Sequence, residues 1–322
     1  MVGSVIVADG TIIGEGYHQR YGEQHAEANA VAAVLSDFPN GEELLRKSTL
    51  YVNLEPCAHF GKRPPCSDLI VRYQIPEVVI GCRDPFPLVN GKGVDKLKDA
   101  GVRIIENILT DECLHLNRRF ITRVQKQRPY IILKWAQTAD GYFAPPDRSQ
   151  RWISSAIAKK LVHKWRGEED AVLVGFNTAL SDDPQLNVRL TTRRSPVRIV
   201  IDRDLQLPKS LKLFDQTHQT IVFNSLKTDV DNNIKYLELE DFDHYLPQLI
   251  CYQLYLMDFQ SIVIEGGAKT LQLFINAGLW DEARIFIADD LWNSGLSAPL
   301  LSGQPKSTDK VGSDSLQTWY NQ

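Results

Sequence analysis

The stretch His25-Ala26-Glu27, followed by the loop Glu55-Pro56-Cys57-Ala58-His59-Phe60-Gly61-Lys62-Arg63-Pro64-Pro65-Cys66, decides how the first half of the chain folds. It holds one histidine and two cysteines, whose imidazole and thiolate groups are ligands that zinc prefers. Three protein ligands leave the fourth tetrahedral position open for water, which is typical of a catalytic zinc site. We therefore expect His25, Cys57 and Cys66 to bind one zinc ion.

Glu27 lies two positions after His25, too near in sequence to share the metal comfortably. A zinc-bound water loses its proton near neutral pH, and Glu27 is placed to carry that proton. An H-x-E motif followed by P-C and a second cysteine is the signature of the zinc deaminases of nucleobases. The alternative is a strand with a buried cysteine beside a surface histidine, or a structural zinc site.

The loop between the two cysteines is long and basic. Eight residues separate Cys57 from Cys66, where the usual pair lies two residues apart, and the insertion carries His59, Lys62 and Arg63. Positive groups beside a site that makes hydroxide indicate an anionic substrate. We predict that His59 and Lys62 contact that substrate.

In these motifs the chain resembles the bifunctional riboflavin-biosynthesis deaminase–reductases, and the resemblance covers nearly its whole length. It also includes Gly14-Glu15-Gly16-Tyr17-His18 and Asp84-Pro85-Phe86-Pro87-Leu88-Val89-Asn90-Gly91-Lys92-Gly93, with Phe86 where the family usually has Asn. It implies a three-layer, cytidine-deaminase-like domain over residues 1–117 that deaminates a phosphoribosylamino-pyrimidine. Family members begin with a helix and an Asn-Pro segment, so this helix is expected to be missing before Val2-Gly3.

Composition limits the class of protein. The chain has 322 residues, 43% hydrophobic and 24% charged, which favours two ordinary globular domains. Its net charge of −4 and the lack of a long basic block argue against nucleic acid as a partner. Five cysteines, no signal peptide and no run long enough to span a membrane predict a cytoplasmic protein. Enzymes of this size commonly form homodimers or higher oligomers.

The pattern of apolar residues in the first half alternates between strands and helices. Asp9-Gly10 between two apolar runs predicts a hairpin. An Ala-rich helix is expected from His25 to Leu35, with His25 and Glu27 on its first turn. A strand over Leu50–Leu54 leads to Cys57, and Pro65-Cys66 begins another helix. The metal site would then lie between the amino-terminal ends of two helices, which favour thiolate and hydroxide.

The pattern restarts in the second half. Residues 118–128 are interpreted as a linker, and residues 129–322 as a second domain. Its apolar strands, separated by helices, favour a mostly parallel sheet that is buried on both faces. A helix is predicted from Ser154 to Arg166, capped by Ser154 or Ser155. No role is assigned after Ala288, and the polar tail beyond Ser302 is expected to be surface-bound or frayed.

Gly266-Gly267-Ala268-Lys269-Thr270 joins a strand to a helix, so its amides can face a pyrophosphate at a helix N-terminus. An ordinary strand–helix junction explains these small residues equally well. The stretch lacks the G-x-G-x-x-G pattern, so a Rossmann fold is not predicted.

The resemblance extends to the second half through Lys134-Trp135-Ala136, Trp152-Ile153-Ser154 and Glu265-Gly266-Gly267. It implies a dihydrofolate-reductase-like domain that uses NADPH to reduce the ribosyl group to ribityl. The implied contacts of the cofactor are Ala136, Trp152, Thr178, Asp182, Gly267, Ala268, Lys269, Thr270 and Leu271. The implied contacts of the substrate are Arg166, Leu186, Arg189, Glu265 and Gln150, the last of these where the family often has Ser.

Chemistry adds detail to these contacts. Arg166 and Arg189 can fork onto a ribose phosphate, and Glu265 can bind ribityl hydroxyls. Arg203 is predicted to bind the 2′-phosphate of NADP; an ordinary solvated arginine at a strand end is the alternative.

Two other functions stay open from the sequence alone. One is a reductase whose truncated first domain serves only as a scaffold or dimer surface. The other is a nucleic-acid deaminase with an accessory domain, which the acidic net charge disfavours.

Overall fold

The protein is described by a computed structural model that covers residues 2–18, 22–60, 63–87, 89–147, 151 and 153–321. The chain divides into two compact units, Met1–Lys126 and Gln127–Gln322. The division falls within residues 118–128, which the sequence analysis assigns to a linker and which contain a helix up to Lys126. The helices in the described part of the chain are all too short or too polar to cross a membrane.

The first unit contains a five-stranded sheet in the order β2-β1-β3-β4-β5. The strands are β1 (Gly3–Ala8), β2 (Thr11–Tyr17), β3 (Thr49–Leu54), β4 (Glu77–Cys82) and β5 (Arg103–Ile105). The helices are α1 (Ala26–Asp37), α2 (Gly41–Leu45), α3 (Cys66–Arg72), α4 (Lys92–Asp99), α5 (Thr110–Leu116) and α6 (Arg118–Lys126). Strands β3, β4 and β5 are parallel, whereas β1 is antiparallel to both β2 and β3.

The predicted hairpin is confirmed, since β1 and β2 are joined by Asp9 and Gly10 with φ of 50° and 74°. Positive φ at both turn residues is typical of the tight two-residue hairpin turns whose twist matches that of the flanking strands. Helix α1 then packs closely on β2, because a Cβ atom on Gly16 would lie only 2.2 Å from the Ala26 carbonyl oxygen. This close approach fixes the start of α1 against the sheet.

The second unit contains a ten-stranded sheet in the order β11-β12-β10-β9-β8-β13-β6-β14-β17-β16, and a two-stranded sheet of β7 and β15. The strands are β6 (Tyr130–Thr138), β7 (Tyr142–Ala144), β8 (Ala171–Gly175), β9 (Val197–Ile201), β10 (Thr220–Asn224), β11 (Asp229–Asp231), β12 (Ile234–Glu238), β13 (Ser261–Gly266), β14 (Glu282–Ala288), β15 (Leu296–Ser297), β16 (Ser307–Val311) and β17 (Asp314–Tyr320). The helices are α7 (Ala156–Arg166), α8 (Phe176–Asp182), α9 (Phe242–Leu256) and α10 (Ala268–Asn276).

The central strands of this sheet confirm the predicted parallel arrangement. Strands β12, β10, β9, β8, β13, β6 and β14 run parallel to their neighbours in that order. Their apolar side chains are buried on both faces, as continuous apolar strands in parallel sheets require. The carboxyl ends of β8 and β13 lead directly into α8 and α10, so both junctions lie at the same edge of the sheet.

The expectation of a frayed tail beyond Ser302 is wrong, whereas a surface position holds for the edge strand β16, whose residues are mostly exposed. Strand β17 pairs antiparallel with β14 from Glu282↔Tyr320 to Ile287↔Ser315, and β16 pairs with β17 in turn. Leu316 and Asp314 are buried, and the Asp314 carboxylate accepts a hydrogen bond of 2.7 Å from the Ser155 amide at the start of α7. The tail therefore completes the sheet, a long-range pairing that its polar local composition does not reveal.

Candidate functional sites

The three predicted zinc ligands meet at the amino-terminal ends of two helices. His25 is the N-cap residue of α1, Cys66 is the first residue of α3, and Cys57 follows strand β3. The Nδ1 atom of His25 lies 3.6 Å from Cys57 Sγ and 3.3 Å from Cys66 Sγ. Ligand atoms of all three residues lie within 4.8 Å of one another.

These separations fit one tetrahedral zinc ion. Zinc–sulfur bonds of about 2.3 Å and zinc–nitrogen bonds of about 2.0 Å place the two ligand atoms about 3.6 Å apart. The Cys66 amide also donates a hydrogen bond of 3.3 Å to Cys57 Sγ, which orients this sulfur atom. The geometry and the chemistry of the donor set therefore agree with a single bound metal.

His25, Cys57 and Cys66 differ in how tightly each holds its proton. A hydrogen bond from Cys66, helped by His25, lowers the pKa of the Cys57 thiol to about 4. The same hydrogen bond and burial raise the pKa of Cys66, and the bond to Cys57 raises the pKa of His25. One thiolate thus forms readily, and metal binding would displace the remaining protons.

Glu27 lies on the first turn of α1 and is only 3% exposed. Burial raises the pKa of its carboxyl group above the ordinary value. A buried carboxyl group with a raised pKa can take up and release a proton during a reaction. Glu27 is thus placed beside the metal ligands with the chemistry expected of a proton carrier.

Glu55, two residues before Cys57, has a structural role that the sequence does not predict. Its buried carboxylate accepts hydrogen bonds from the amides of Asp84, Gly91, Gly93 and Val94 at 3.0 to 3.3 Å. Two of these amides belong to the first turn of α4, where a negative group is stabilising. The carboxylate therefore ties the 84–94 segment to the strand end that carries Cys57.

Gly93 also holds the 84–94 segment close to Cys57, because it packs against the backbone of Pro56. A Cβ atom on Gly93 would lie 1.9 Å from the Pro56 carbonyl oxygen. Any larger residue would have to move the backbone immediately before Cys57.

His59 lies next to Phe86, with ring centroids 5.9 Å apart. Its Nδ1 atom is buried and has no hydrogen-bond partner among the residues that the structure describes. A free polar atom of this kind is compatible with the predicted substrate contact. Lys62, the other predicted contact in the loop, lies outside the described residues.

A cavity of about 380 Å³ lies in the second unit and gathers several predicted residues. Arg166 comes from the end of α7, Asp182 from the end of α8, and Leu186 and Arg189 from the loop that follows. The remaining lining residues are Lys134, Ser154, Lys159, Val162, His163, Asp183, Pro184, Gln185 and Lys212. Cationic side chains outnumber acidic ones here, which favours an anionic ligand.

Glu265 joins this cavity through a buried ion-pair network. Its two carboxylate oxygens accept hydrogen bonds from Arg166 Nε at 2.6 Å and Nη2 at 2.7 Å, and Lys134 Nζ lies 3.6 Å away. Burial alone would raise the pKa of Glu265, but the charges of Arg166 and Lys134 outweigh it and lower the pKa to about 2. Burial also lowers the pKa of Lys134.

The predicted cofactor segment lies at the junction of β13 and α10. Gly267 is the N-cap residue of α10 with φ of 77°, and its Cα approaches Thr178 so closely that a Cβ atom would lie 3.2 Å from Thr178 Oγ1. Because Gly267 has no side chain, the amides of the first turn of α10 receive no hydrogen bond from the N-cap residue. This junction has the features of a phosphate-binding helix start.

Other predicted cofactor residues differ in their surroundings. Leu271 is fully buried in the core, and its amide donates to the Gly267 carbonyl at 3.0 Å. Thr270 is buried too, while Ala136 on β6 packs beside the apolar cluster of α7 and β14. Trp152 and the predicted substrate contact Gln150 lie outside the described residues.

Arg203 follows β9 and is half exposed, as the alternative reading of a solvated arginine expects. Its guanidinium forms an ion pair with Asp243 at 2.6 Å and lies 3.7 Å from Asp204. A phosphate at this position would compete with two carboxylates for the same guanidinium group.

Lys134, Lys159 and His163 line the cavity without a role predicted from the sequence. A signal was available for two of them, because Lys159, Val162, His163 and Arg166 follow the i, i+3, i+4, i+7 spacing of one helix face. Lys134 could not be recognised in this way, since its contact with Glu265 depends on β6 and β13 being neighbours.

Taken together, the chain is a mixed α/β protein that combines a zinc-type deaminase domain with a reductase domain. Residues 1–82 match the cytidine and deoxycytidylate deaminase zinc-binding region, and residues 129–309 match the RibD C-terminal domain. The chain belongs to the RibD family of riboflavin biosynthesis proteins, as the sequence motifs predicted. It is 39% identical over 303 residues to riboflavin biosynthesis protein RibD of Aquifex aeolicus, which covers 92% of this chain and 82% of that protein.

Further relatives agree. RibD of Escherichia coli K12 is 33% identical over 309 residues, covering 91% of this chain and 82% of the relative. The crystal structure of a diaminohydroxyphosphoribosylaminopyrimidine deaminase/5-amino-6-(5-phosphoribosylamino)uracil reductase from Thermotoga maritima superposes with a TM-score of 0.89 at 36% identity, covering 100% of this chain and 92% of that one. RibD of Acinetobacter baumannii gives a TM-score of 0.87 at 30% identity, with the same coverage. The chain is thus an enzyme of riboflavin biosynthesis with a deaminase domain followed by a reductase domain.

Proposed function

We propose that the first unit hydrolytically deaminates 2,5-diamino-6-(5-phosphoribosylamino)pyrimidin-4(3H)-one, and that the second unit then reduces the ribosyl group of the product to ribityl with NADPH. The observation that carries this proposal is the cluster of His25, Cys57 and Cys66, whose ligand atoms lie within 4.8 Å of one another beside the buried Glu27. The two named activities of the Thermotoga maritima relative are the same pair of reactions.

In the first unit, His25, Cys57 and Cys66 would hold the metal, and Glu27 would carry the proton. Zinc in such a site supplies a Lewis acid that activates water for hydrolysis. Because the Glu27 carboxyl group is buried and its pKa is raised, it takes a proton more readily than an exposed carboxylate does. That proton can then be delivered to the departing amino group as ammonia leaves.

Substrate binding in this unit would involve the loop between the cysteines. The buried and unpartnered Nδ1 atom of His59 supports a polar contact with the substrate, and Lys62 would add a positive charge. The ring of Phe86 beside His59 gives the site an apolar wall against which a pyrimidine can pack.

In the second unit, Arg166, Leu186, Arg189 and Glu265 would bind the phosphoribosyl substrate. The excess of cationic side chains in the cavity supports binding of its phosphate. Glu265 stays ionised at neutral pH because its pKa is about 2, so it can accept hydrogen bonds from sugar hydroxyls while it orients Arg166.

NADPH would lie at the carboxyl edge of the parallel sheet and supply the reducing equivalents. The junction from Gly267 to Leu271, with Thr178 packed on it, suits the pyrophosphate. Ala136, Trp152 and Asp182 would provide further contacts to the cofactor, and Arg203 would exchange its carboxylate partners for the 2′-phosphate. Asp182 lines the same cavity as the substrate residues, which supports a cofactor adjacent to the substrate.

A two-step assay of the purified full chain tests this proposal. We expect about one zinc per chain by metal analysis, ammonia release from the diamino pyrimidine substrate without NADPH, and NADPH oxidation once the deaminated product is present. Ammonia release without later NADPH oxidation would contradict the reductase half. NADPH oxidation with synthetic deaminated product, but no ammonia from the first substrate, would contradict the deaminase half.

A further inference from the structure

His163 is a buried imidazole within the reductase cavity that the reaction as described above does not use. It lies on α7, one helical turn before Arg166, and only 2% of its surface is exposed. Because it also lines the cavity, the small exposed part of the ring faces the ligand space rather than bulk solvent. A polar side chain in this position is placed to contact a bound molecule.

The proton of this ring is fixed by the backbone of the neighbouring loop. The Arg189 amide donates a hydrogen bond of 3.3 Å to His163 Nδ1, so Nδ1 must be the acceptor nitrogen and carries no proton. The neutral ring therefore carries its proton on Nε2. Nε2 makes no hydrogen bond with the residues that the structure describes, which leaves its N–H available to a ligand.

The surroundings keep the ring in this neutral form. Burial, followed by the positive charges of Arg166 and Arg189, lowers the pKa of His163 to about 4, although Glu265 acts in the opposite direction. At neutral pH the ring is consequently an uncharged donor among cationic groups. Such a donor offers a hydrogen bond to an anion without bringing a further charge into the cavity.

We propose, on the basis of the proposed reductase function, that His163 is a specificity-determining residue whose Nε2–H binds a phosphate oxygen of the substrate. Arg166 and Arg189 carry the two guanidinium groups proposed to bind that phosphate. His163 lies one turn before Arg166 on α7, accepts the backbone amide of Arg189 at Nδ1, and lines the same cavity as both arginines. Phosphate is preferred over an uncharged sugar oxygen as the acceptor because the positive groups around the ring attract the anionic end of the ligand.

The chain offers a matched pair of variants. In His163→Asn the amide oxygen occupies the region of Nδ1 and can still accept from the Arg189 amide, whereas the Nε2 donor is lost. In His163→Gln the side-chain amide reaches the region of Nε2 and restores a donor there. Lys160→Gln, an exposed position on the same helix, is the control.

We expect His163→Asn to raise KM for the phosphorylated substrate about tenfold or more, with kcat within about twofold, because the phosphate does not react. KM for NADPH should stay unchanged, and the dephosphorylated substrate should lose little. His163→Gln should recover most of the loss. An unchanged KM, a loss confined to kcat, an equal loss with the dephosphorylated substrate, or equal losses in the Asn and Gln variants would overturn the proposal.

A binding measurement separates this proposal from the proposed function. All six tryptophans of the chain, at positions 135, 152, 165, 280, 292 and 319, lie in the second unit. Tryptophan fluorescence during titration with inorganic phosphate therefore reports on this unit without any turnover. Phosphate binding about tenfold weaker in His163→Asn than in the wild type supports the role of His163 even if NADPH is not oxidised. Equal phosphate affinity of the two proteins contradicts it.

Discussion

The metal cluster of the first unit and the charged cavity of the second unit are built in different ways. Of the three predicted zinc ligands, His25 and Cys66 lie at the starts of two helices and Cys57 follows a strand, and the most distant pair, His25 and Cys66, is 41 positions apart. Arg166 and Glu265 are 99 positions apart and meet only because the fold brings the end of α7 to a side chain of strand β13. Zinc restricts its ligands to a few residue types, so its site leaves a recognisable motif. A cavity made of common charged residues leaves none.

The two sites also differ in what holds them together. The thiol and imidazole groups of His25, Cys57 and Cys66 share protons that a metal ion would replace. The arrangement of these three side chains therefore depends on the bound ion. The network of Lys134, Glu265 and Arg166 is compensated within the protein itself. Removal of one group should therefore cost the first site its metal and the second site its stability.

The largest effect is expected for Cys57→Ala. Loss of a ligand should reduce the zinc content from about one per chain to near zero and lower the rate of ammonia release more than about 100-fold. The expected loss is this large because mutating a residue that only hydrogen-bonds to a metal ligand already lowers metal affinity or activity about 10–100-fold. NADPH oxidation with supplied deaminated product should not change. Metal analysis and the two separate assays measure this.

Cys113→Ala is the matched control, because Cys113 is a partly buried cysteine of the same unit outside the cluster. Full zinc content in Cys57→Ala, or equal losses in both cysteine variants, would contradict the assigned ligand set.

The second largest effect is a loss of stability of the second unit, and it is expected for Glu265→Gln. Removal of the charge leaves Arg166 and Lys134 buried without their counter-ion, which should destabilise the second unit by about 3–5 kcal/mol. Urea unfolding followed by tryptophan fluorescence measures it, since all six tryptophans lie in this unit. Glu240→Gln, at an exposed position, should stay within about 0.5 kcal/mol of the wild type. Equal unfolding midpoints for the wild type and Glu265→Gln would show that the network contributes nothing.

The sequence predicted most strands of both sheets, and it predicted as metal ligands three residues that the structure brings together. Helix α1 and the hairpin follow from local patterns, and the N-cap residue of α7 is Ser155, whose side chain accepts from the Ala158 amide as a predicted cap does. Strands β16 and β17 were missed because their residues are polar and their pairing with β14 is long-range. The contacts of Glu55 and Lys134 were missed for the same physical reason, because their partners are set by packing and not by spacing. His163 follows the spacing of one helix face, but its contact with the Arg189 amide depends on the fold.

A smaller effect is expected from Gly93→Ala, which tests whether the 84–94 segment positions Cys57. The added methyl group would meet the Pro56 carbonyl oxygen at 1.9 Å and must displace it. We expect zinc affinity and ammonia release each to fall about tenfold, as for partners of metal ligands. Gly3→Ala, whose Cβ would lie 3.9 Å from the Gly16 oxygen, should behave as the wild type. A normal zinc affinity in Gly93→Ala would refute the positioning role.

The smallest effect is the pH dependence of the Glu265 contribution. The folded pKa of Glu265 is about 2, below its ordinary value of 4.5. The unfolded state therefore binds more protons between these values, so the stabilisation is complete above about pH 4.5 and is lost as pH falls towards 2. The difference in unfolding free energy between the wild type and Glu265→Gln should shrink over this window. A difference that grows as the solution becomes more acidic would contradict the assigned charge state.

The central claim is that one chain carries a metal-dependent deaminase and a reductase that works independently of it. The substitution Glu27→Gln tests this claim most directly. It removes the proton carrier but none of the three metal ligands. We expect one zinc per chain, no measurable ammonia from the diamino pyrimidine, and normal NADPH oxidation with the deaminated product. Ammonia release at the wild-type rate would contradict the account.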